Sequence, residues 1–348
     1  YDNSYRIALY QSYSNRNPYD ADGDGFSELG KLNMNTFGLR AYYRPTQFSR
    51  ISLEYHTTNE FRRGGNKFDL QPHETDITEQ TKHIINSGGL TYDVFFNEYK
   101  HKLSVYASAQ HTDRDSYYGA DKAENAYGKT NDLTAVGGAM YVGNMDNCLF
   151  SPATFTGGLE YQYNSLHDVM TGYGRDLRQD VKIASGFVQN EWKLDYFTIL
   201  AGFRLDKHNL VDNVIFSPRI NTLWKPSDKF QGRLTWSTGF RAPQAYDEDL
   251  HVAAVGGEAM EVRLAEGLKP ERSNSFSGSV DWSFNFGHFQ SNLLIEGFYT
   301  ALNDVFYLES LGKDPVSGTL VQERRNGNGA RVYGANIDYK IAHGDRKS

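Results

Sequence analysis

The side chains most able to do chemistry lie in an acidic stretch near the start of the sequence, residues 20–28 (DADGDGFSE). Three aspartates occupy alternate positions, a glycine follows the third, and a glutamate ends the stretch. Ca²⁺ takes about six to eight oxygen ligands, and alternate positions on a turning backbone can aim successive carboxylates at one point. The spacing therefore predicts a calcium-binding loop. Its expected ligands are the carboxylates of Asp20, Asp22, Asp24 and Glu28 and the backbone carbonyl of Phe26.

The pattern is similar to the calcium loops of extracellular proteins, but it departs from the EF-hand. Lys31 occupies the position at which an EF-hand carries its last, bidentate glutamate. Four carboxylates in one short stretch repel one another unless a cation lies between them, which favours a bound ion. The alternative is an acidic, glycine-rich loop that only water solvates.

A second polar group follows residue 243, in a long stretch between two strand-like segments. Long connections at the end of a sheet often carry ligand contacts, so this stretch is a candidate binding loop. A single histidine in such a connection is more often solvated than bound to a metal. The candidate ligand-binding residues are Tyr246, Asp247, Asp249 and His251.

The residues just before this stretch predict the end of a strand. Pro243 has no N–H group, so a hydrogen-bonded ladder is expected to end there. Phe240 and Arg241 then occupy the last strand positions, and Arg241 is expected to face the interior or a loop carboxylate. We expect Arg241 to anchor the rim of the sheet rather than to contact a ligand.

Several function classes find no support in the sequence. There is no Ser-His-Asp order, phosphate-binding loop or nucleotide fingerprint, so the sequence predicts a protein that is not an enzyme. Cys148 is the only cysteine, which excludes an intrachain disulfide and a cysteine-based metal site. A net charge of −7 and the lack of a basic stripe argue against nucleic acid as a partner.

Alternation of apolar and polar residues predicts β-strands along the chain. Residues 231–241 (QGRLTWSTGFR) place Leu234, Trp236 and Phe240 on one face and polar side chains on the other. Side chains of a strand point alternately to opposite faces, so this period of two is that of a strand. We predict about fourteen strands. They lie near residues 5–12, 36–44, 50–58, 88–96, 102–111, 132–143, 154–164, 183–194, 196–206, 214–225, 230–240, 275–285, 289–300 and 330–341.

The lengths of the strands and of the links between them predict a membrane barrel. Segments of about ten residues can cross a bilayer when they are tilted. Short links alternate with long ones, as do the periplasmic turns and extracellular loops of outer-membrane barrels. Aromatic residues make up 14% of the chain and cluster beside the short links, as expected of an interfacial girdle. The expected extracellular loops lie near residues 13–35, 59–87, 112–131, 165–182, 242–274 and 301–329.

A soluble β-sandwich is the alternative architecture, because its strands also alternate and its aromatic residues fill a core. Such a protein would be a calcium-stabilised surface binding protein. The sorting of the links by length favours the barrel. The mean hydropathy of −0.62 is compatible with a barrel, because a polar lumen and polar loops dilute the apolar face.

A series of sequence blocks in the second half resembles the β-barrel of TonB-dependent outer-membrane receptors. Each block alone is weak, but their order and spacing together are specific. The resemblance is strong from about residue 196 to residue 341 and looser before it. One departure is Asn336, near which many members of the family carry an acidic residue. The blocks are Ser217–Arg219, Lys225–Asp228, Gly239–Pro243, Leu268–Glu271 and Asn326–Ala330, followed by Tyr333 and Gly334.

The resemblance implies an all-β, transmembrane antiparallel β-barrel of the outer membrane, roughly 22-stranded and filled by an N-terminal plug. Only about fourteen strands and no plug domain are recognised, so the chain is expected to be a fragment of that barrel. The implied partners are the TonB complex through the missing plug region, a small-molecule nutrient and outer-membrane lipid. A surface lipoprotein is a further candidate partner.

The resemblance also bears on the cargo. Cobalamin receptors of this family are similar to this chain in using aspartate-rich extracellular loops that bind calcium, which favours a corrinoid. Haem or a ferric siderophore is the alternative. His251 follows the Gly239–Pro243 block, as a haem-ligating histidine does in haem receptors, but Leu268–Glu271 stands where those receptors carry an Asn-Pro-Asn/Asp-Leu motif.

Overall fold

The computed structural model describes residues 4–173, 175–243, 260–313, 315 and 320–343. These residues form a 14-stranded sheet, a separate three-stranded sheet and two 3-10 turns, at Pro72–Glu74 and Thr171–Tyr173. No helix among them is long and apolar enough to cross a membrane. The strands are β1 (Tyr5–Arg16), β2 (Lys31–Thr46), β3 (Ser49–Gly65), β4 (Ile77–Phe96), β5 (His101–Ala120), β6 (Tyr127–Cys148), β7 (Ser151–Met170), β8 (Arg175–Lys193), β9 (Phe197–His208), β10 (Ile215–Ser227), β11 (Phe230–Arg241), β12 (Met260–Leu264), β13 (Glu271–Phe286), β14 (Phe289–Asn303), β15 (Phe306–Lys313), β16 (Leu320–Asn326) and β17 (Ala330–His343).

The large sheet is an antiparallel wall, with strands in the order β1 to β11 followed by β13, β14 and β17. Its edge strands, β1 and β17, do not pair with each other, so the wall formed by the described residues is not closed into a full barrel. This arrangement confirms the prediction of an all-β antiparallel fold with about fourteen wall strands. The small sheet, in the order β12, β16 and β15, was not predicted.

The two ends of the wall differ. At the short-turn end, strands join through tight turns, such as residues 47–48 between β2 and β3. At the long-connection end, strands β4 to β8 continue into segments that the sequence suggested were loops. They continue because the N–H and C=O groups of an extended chain are satisfied by pairing with a neighbouring strand. The connections that remain at this end include residues 17–30, 66–76, 121–126 and 209–214.

One face of the wall is apolar across its strands. Directly opposed residues on neighbouring strands lie on the same face of a sheet. Such partners can be followed from strand to strand, and the apolar positions stay in register. One row of partners, from β10 to β17, consists of Ile220, Trp236, Phe276, Tyr299 and Tyr333.

This apolar face is open to its surroundings in the described part of the chain. Leu159, Leu234 and Ile337, on three separate strands, are 71%, 68% and 72% exposed. A β-sandwich would bury such side chains against a second sheet, so the sandwich alternative is wrong. An exposed apolar band is instead what the lipid-facing side of a membrane barrel presents.

Aromatic side chains gather at the short-turn end of this face. The rings of Trp224 and Phe230 lie 5.4 Å apart, and those of Trp282 and Phe284 lie 4.7 Å apart. The ring of Trp192 stacks on that of Phe150 at the same end. Tryptophan and tyrosine favour the boundary between lipid and water, so the cluster has the position of an interfacial girdle.

Replacing Leu234 with arginine tests which face meets lipid. A charge on the lipid face of an outer-membrane barrel costs about 2–4 kcal/mol near the bilayer midplane. Leu234→Arg should lower the free energy of unfolding of the full-length protein in lipid vesicles by that amount, as measured by urea titration. The control Ser237→Arg places the same charge on the opposite face and should cost less than about 1 kcal/mol. Equal costs for the two variants would contradict the assignment of the faces.

Candidate metal centre and mouth of the barrel

The acidic stretch forms a closed turn between β1 and β2. The ladder between these strands ends at the pair Arg16 and Leu32. Beyond it, backbone hydrogen bonds in both directions between Tyr19 and Leu29, at 2.9 and 3.2 Å, close the base of the turn. The predicted calcium ligands therefore lie on a short, defined segment of backbone.

The carboxylates of this turn converge on one point. Asp20, Asp22, Asp24 and Glu28 each offer one oxygen, and these oxygens all lie within 4.8 Å of one another. Calcium–oxygen distances are about 2.3–2.6 Å, so ligands on opposite sides of one ion are about 5 Å apart. The cluster therefore has the size of one calcium coordination sphere. The backbone of Phe26, the fifth predicted ligand, belongs to the same turn.

Backbone amides of the turn fix the positions of the carboxylates. The N–H groups of Gly23 and Gly25 donate to the two oxygens of Asp20, at 2.7 and 2.8 Å. The N–H of Phe26 donates to Asp24 at 2.8 Å. Gly23 and Gly25 have φ angles of +79° and +90°, which glycine adopts most readily. Each carboxylate has about four acceptor sites, so these bonds leave capacity for a cation.

The turn is also tied to the next strand. The N–H of Ser27 donates to the carbonyl of Gly65 at 3.0 Å, and the N–H of Gly65 donates to the Ser27 hydroxyl at 3.2 Å. Gly65 ends β3 and precedes the connection at residues 66–76. The geometry of the acidic turn is therefore coupled to that of the neighbouring connection.

Asp76 holds the 66–76 connection in its folded form. Its two oxygens accept hydrogen bonds from Asn66 Nδ2 and Lys67 Nζ, both at 2.8 Å. The bond from the Lys67 ammonium, and next that from Asn66, keep the pKa of Asp76 below its ordinary value. The ionised carboxylate thus stabilises the connection more than the protonated form does.

Phe240, Arg241 and Pro243 lie where β11 leaves the wall. The Arg241 guanidinium donates to both oxygens of Glu271, at 2.7 and 3.0 Å. Its Cζ lies 5.0 Å from the centre of the Phe306 ring. Phe240 packs against a small apolar cluster, and Pro243 is buried just beyond the end of the strand. Arg241, the last residue of β11, is thus joined to Glu271, the first residue of β13.

The predicted ligand-binding residues lie outside the described residues, in the stretch 244–259. The connection that carries them leaves the wall at Arg241 and returns to it at Glu271. Their contact with a ligand stays a prediction. They are Tyr246, Asp247, Asp249 and His251.

Sequence patterns did not reveal a polar row on the inner face at the long-connection end. Successive cross-strand partners from β3 to β7 are Glu60, His83, Arg114, Thr130 and Asp168. Arg114 donates to the Thr130 hydroxyl at 2.7 Å and to Asp168 at 3.2 Å. The row gives the mouth a hydrogen-bonding inner surface that lies above the apolar band.

Ion pairs continue deeper along the inner face. Asp93 is 1% exposed and accepts hydrogen bonds from Arg50 and Ser104, each at 2.7 Å. The Lys102 ammonium lies 3.0 Å from the same carboxylate. A buried charge needs charged or hydrogen-bonding partners, and Asp93 has three of them in these contacts. The inner face is therefore polar where the outer face is apolar, as in a barrel with a water-filled or plugged lumen.

Comparison with known proteins agrees with this architecture. A family model described as "TonB dependent receptor-like, beta-barrel" matches residues 1–343. The chain therefore belongs to the TonB-dependent receptor β-barrel family, and it lies in the outer membrane. The fold and family are those of receptors and transporters rather than enzymes. In such barrels the short turns face the periplasm and the long connections face outward.

Solved structures show the same fold at low sequence identity. The siderophore receptor PirA from Pseudomonas aeruginosa has a TM-score of 0.72 and 14% identity, over 96% of this chain and 56% of that chain. The outer membrane transporter YddB from Escherichia coli has a TM-score of 0.69 and 12% identity, over 97% and 49%. A double mutant of the Serratia marcescens hemophore receptor HasR, in complex with its hemophore HasA and heme, has a TM-score of 0.69 and 14% identity, over 97% and 56%.

The chain spans about half the length of these structures. No match was found among curated proteins. The comparisons therefore establish the family and the fold, and the activity of the whole receptor is a separate question.

The pKa of Asp76 predicts how the 66–76 connection responds to acid. A carboxylate whose pKa is lower in the folded state stabilises that state above its unfolded pKa, about 4. The stabilisation is lost as the pH falls through the lower, folded-state pKa. Amide exchange at residues 66–76 should therefore accelerate, relative to the intrinsic rate, as the pH falls below about 4. Asp76→Asn should lack this acid-dependent component, and identical profiles for the two proteins would rule out the role of Asp76.

Proposed function

We propose that this chain forms part of the barrel of a TonB-dependent receptor that imports a scarce small-molecule nutrient across the outer membrane. The observation that carries the proposal is the family match over residues 1–343. The two faces of the wall support it, because an apolar outside and a polar inside suit a lipid-embedded passage for a polar cargo. Such a barrel admits a compound that is too large and too scarce to cross the outer membrane by passive diffusion.

Uptake of a scarce nutrient needs energy that the barrel wall cannot supply. We propose that the TonB complex provides it through a plug region that fills the lumen. The polar inner face suits contact with a polar plug surface, and the Arg50 guanidinium that pairs with Asp93 stays partly exposed on that face. A surface lipoprotein as a further partner stays a prediction.

An iron-carrying compound, a ferric siderophore or haem, is the cargo class that we favour. PirA is a siderophore receptor, and the HasR structure holds a hemophore and heme. Both share the fold of this chain, which supports the class of cargo without selecting a compound. The inner row, which combines charged and hydroxyl side chains such as Arg114 and Thr130, suits a polar cargo.

A corrinoid is the second candidate, and the acidic turn is the observation that favours it. Cobalamin receptors use aspartate-rich extracellular loops that bind calcium, and the acidic turn of this chain resembles those loops in sequence. Here four carboxylate oxygens converge within 4.8 Å in the connection between β1 and β2. The two candidates differ in one measurable property, because only the corrinoid hypothesis expects cargo binding to require calcium.

We propose that the acidic turn binds one Ca²⁺ whichever cargo is carried. Hard oxygen donors, a cluster of the right size and two glycines at left-handed positions support this assignment. Bound calcium would remove the repulsion among four carboxylates and hold the turn against Gly65 of β3. Solvent-exposed sites of this kind have dissociation constants of about 0.1–1 mM.

A binding panel on the full-length receptor separates the two cargo candidates. A ferric catecholate siderophore, haem and cyanocobalamin are titrated against the purified receptor by fluorescence quenching, with and without a calcium chelator. We expect binding of an iron compound with a dissociation constant below about 1 µM, about −8 kcal/mol or stronger. Calcium-dependent binding of cyanocobalamin alone would replace the iron proposal with the corrinoid one. Binding of none of the three would refute both.

The calcium proposal is tested by removing two of the carboxylates. Asp22→Asn combined with Asp24→Asn keeps the size of the side chains and removes two charged ligands, so calcium affinity should fall by about tenfold or more. The measurement is calcium titration by calorimetry, with terbium luminescence as a second readout. Asp113→Asn combined with Asp115→Asn is the matched control, because it changes alternate aspartates on β5 and should leave the affinity unchanged. Unchanged calcium affinity in the first variant would mean that the turn is only solvated.

A further inference from the structure

The small sheet is built from two different connections of the wall. β12 belongs to the connection between β11 and β13, whereas β15 and β16 belong to the connection between β14 and β17. β12 pairs in parallel with β16 over five residues, and β16 pairs antiparallel with β15. Among the described residues, these strands pair with one another and with no strand of the wall. Two long extracellular connections are therefore joined by a shared backbone ladder.

Ion pairs reinforce this sheet internally. Glu309 and Glu323 are direct partners across β15 and β16, and like charges at such positions destabilise a strand pair. Arg325 forms ion pairs with both of them. The sheet therefore carries its own charge compensation and does not need the wall for it.

Five residues, Arg241, Glu271, Phe306, Arg324 and Asn326, connect the small sheet to the wall, and we call them the clasp. Glu271 lies at the centre of its first half. Its carboxylate accepts two hydrogen bonds from the Arg241 guanidinium and a third from the backbone N–H of Phe306. The Phe306 ring lies 5.0 Å from the Arg241 guanidinium and 5.8 Å from that of Arg324, which is 1% exposed. An arginine within about 6 Å of an aromatic ring gains a cation–π attraction. The start of β15 is thus fixed to the rim of the wall.

Asn326 forms the other half of the clasp. Its side chain accepts the N–H of Lys269 at 2.8 Å and donates to the carbonyls of Lys269 and Asp304, at 2.9 and 2.7 Å. The carbonyl of Arg324 also accepts the N–H of Ala265, at 3.1 Å. One amide side chain therefore links the segment that follows β12, the segment that precedes β15 and the end of β16.

We propose that β12, β15 and β16 form one conformational module, which opens as a single body when the clasp of Arg241, Glu271, Phe306, Arg324 and Asn326 breaks. The shared ladder and the clasp make it costly to move either connection alone, because each would leave backbone groups and the side-chain amide unpaired. Locally cooperative units of this kind open together in native proteins. The module goes beyond the proposed function and holds whichever cargo the receptor carries.

Hydrogen exchange on the full-length receptor, read by mass spectrometry, tests the module. Asn326→Ala removes the three side-chain bonds, so exchange at residues 260–264, 306–313 and 320–326 should accelerate together, by about tenfold. Exchange in β13 and β14 should not change. The control Gln322→Ala lies on the same strand and leaves these bonds intact, so its exchange should match the unaltered receptor. Acceleration in β12 alone, or in β15 and β16 alone, would overturn the proposal.

A measurement on the unaltered receptor keeps the proposal testable if Asn326→Ala does not fold. Exchange is followed at increasing, sub-denaturing concentrations of urea. Amides of one cooperative unit share a single opening free energy and a single dependence on urea. β12 should therefore follow the same curve as β15 and β16. Separate curves for the two connections would show that they open independently.

Discussion

The structure depends on one constraint, which is that neighbouring wall strands pair their backbone groups while turning their apolar side chains the same way. Within a membrane, an unpaired N–H or C=O group costs several kcal/mol, and only helices and closed sheets of strands avoid that cost. A slip of one residue in any hairpin would turn a strand's apolar side chains toward the lumen. The row from Ile220 to Tyr333 shows that the register is kept across five strands. Because the register is kept, the apolar side chains form one lipid-facing belt and the polar side chains line the passage.

The sequence predicted the features that arise within one strand or one turn. The strand expected at residues 230–240 is β11, Phe230–Arg241, because its alternation is visible along a single segment. The acidic turn was recognisable for the same reason, since all of its candidate ligands lie in one short stretch. The wall, the girdle and the position of the turn therefore follow from local pattern.

Features built from distant segments were not predictable in this way. Arg241 and Glu271 meet only because β11 and β13 pair in a particular register. The inner row from Glu60 to Asp168 needs the registers of four successive hairpins, whose upper halves the pattern suggested were loops. β12 has only five residues and pairs in parallel with a strand of another connection, so no period in the sequence marks it. Non-local pairing accounts for each of these omissions.

Depth-dependent fluorescence quenching tests the central claim about the two faces most directly. All four tryptophans of the chain, Trp192, Trp224, Trp236 and Trp282, lie at outward positions of the register. Single-tryptophan versions of the receptor are reconstituted in vesicles of lipids brominated at known chain depths. The structure predicts that brominated lipid quenches each tryptophan. Bromine deep in the bilayer should quench Trp236 most strongly, and bromine near the lipid–water boundary should quench the other three most strongly. Quenching by aqueous iodide with no response to brominated lipid would contradict a wall whose apolar face meets the membrane.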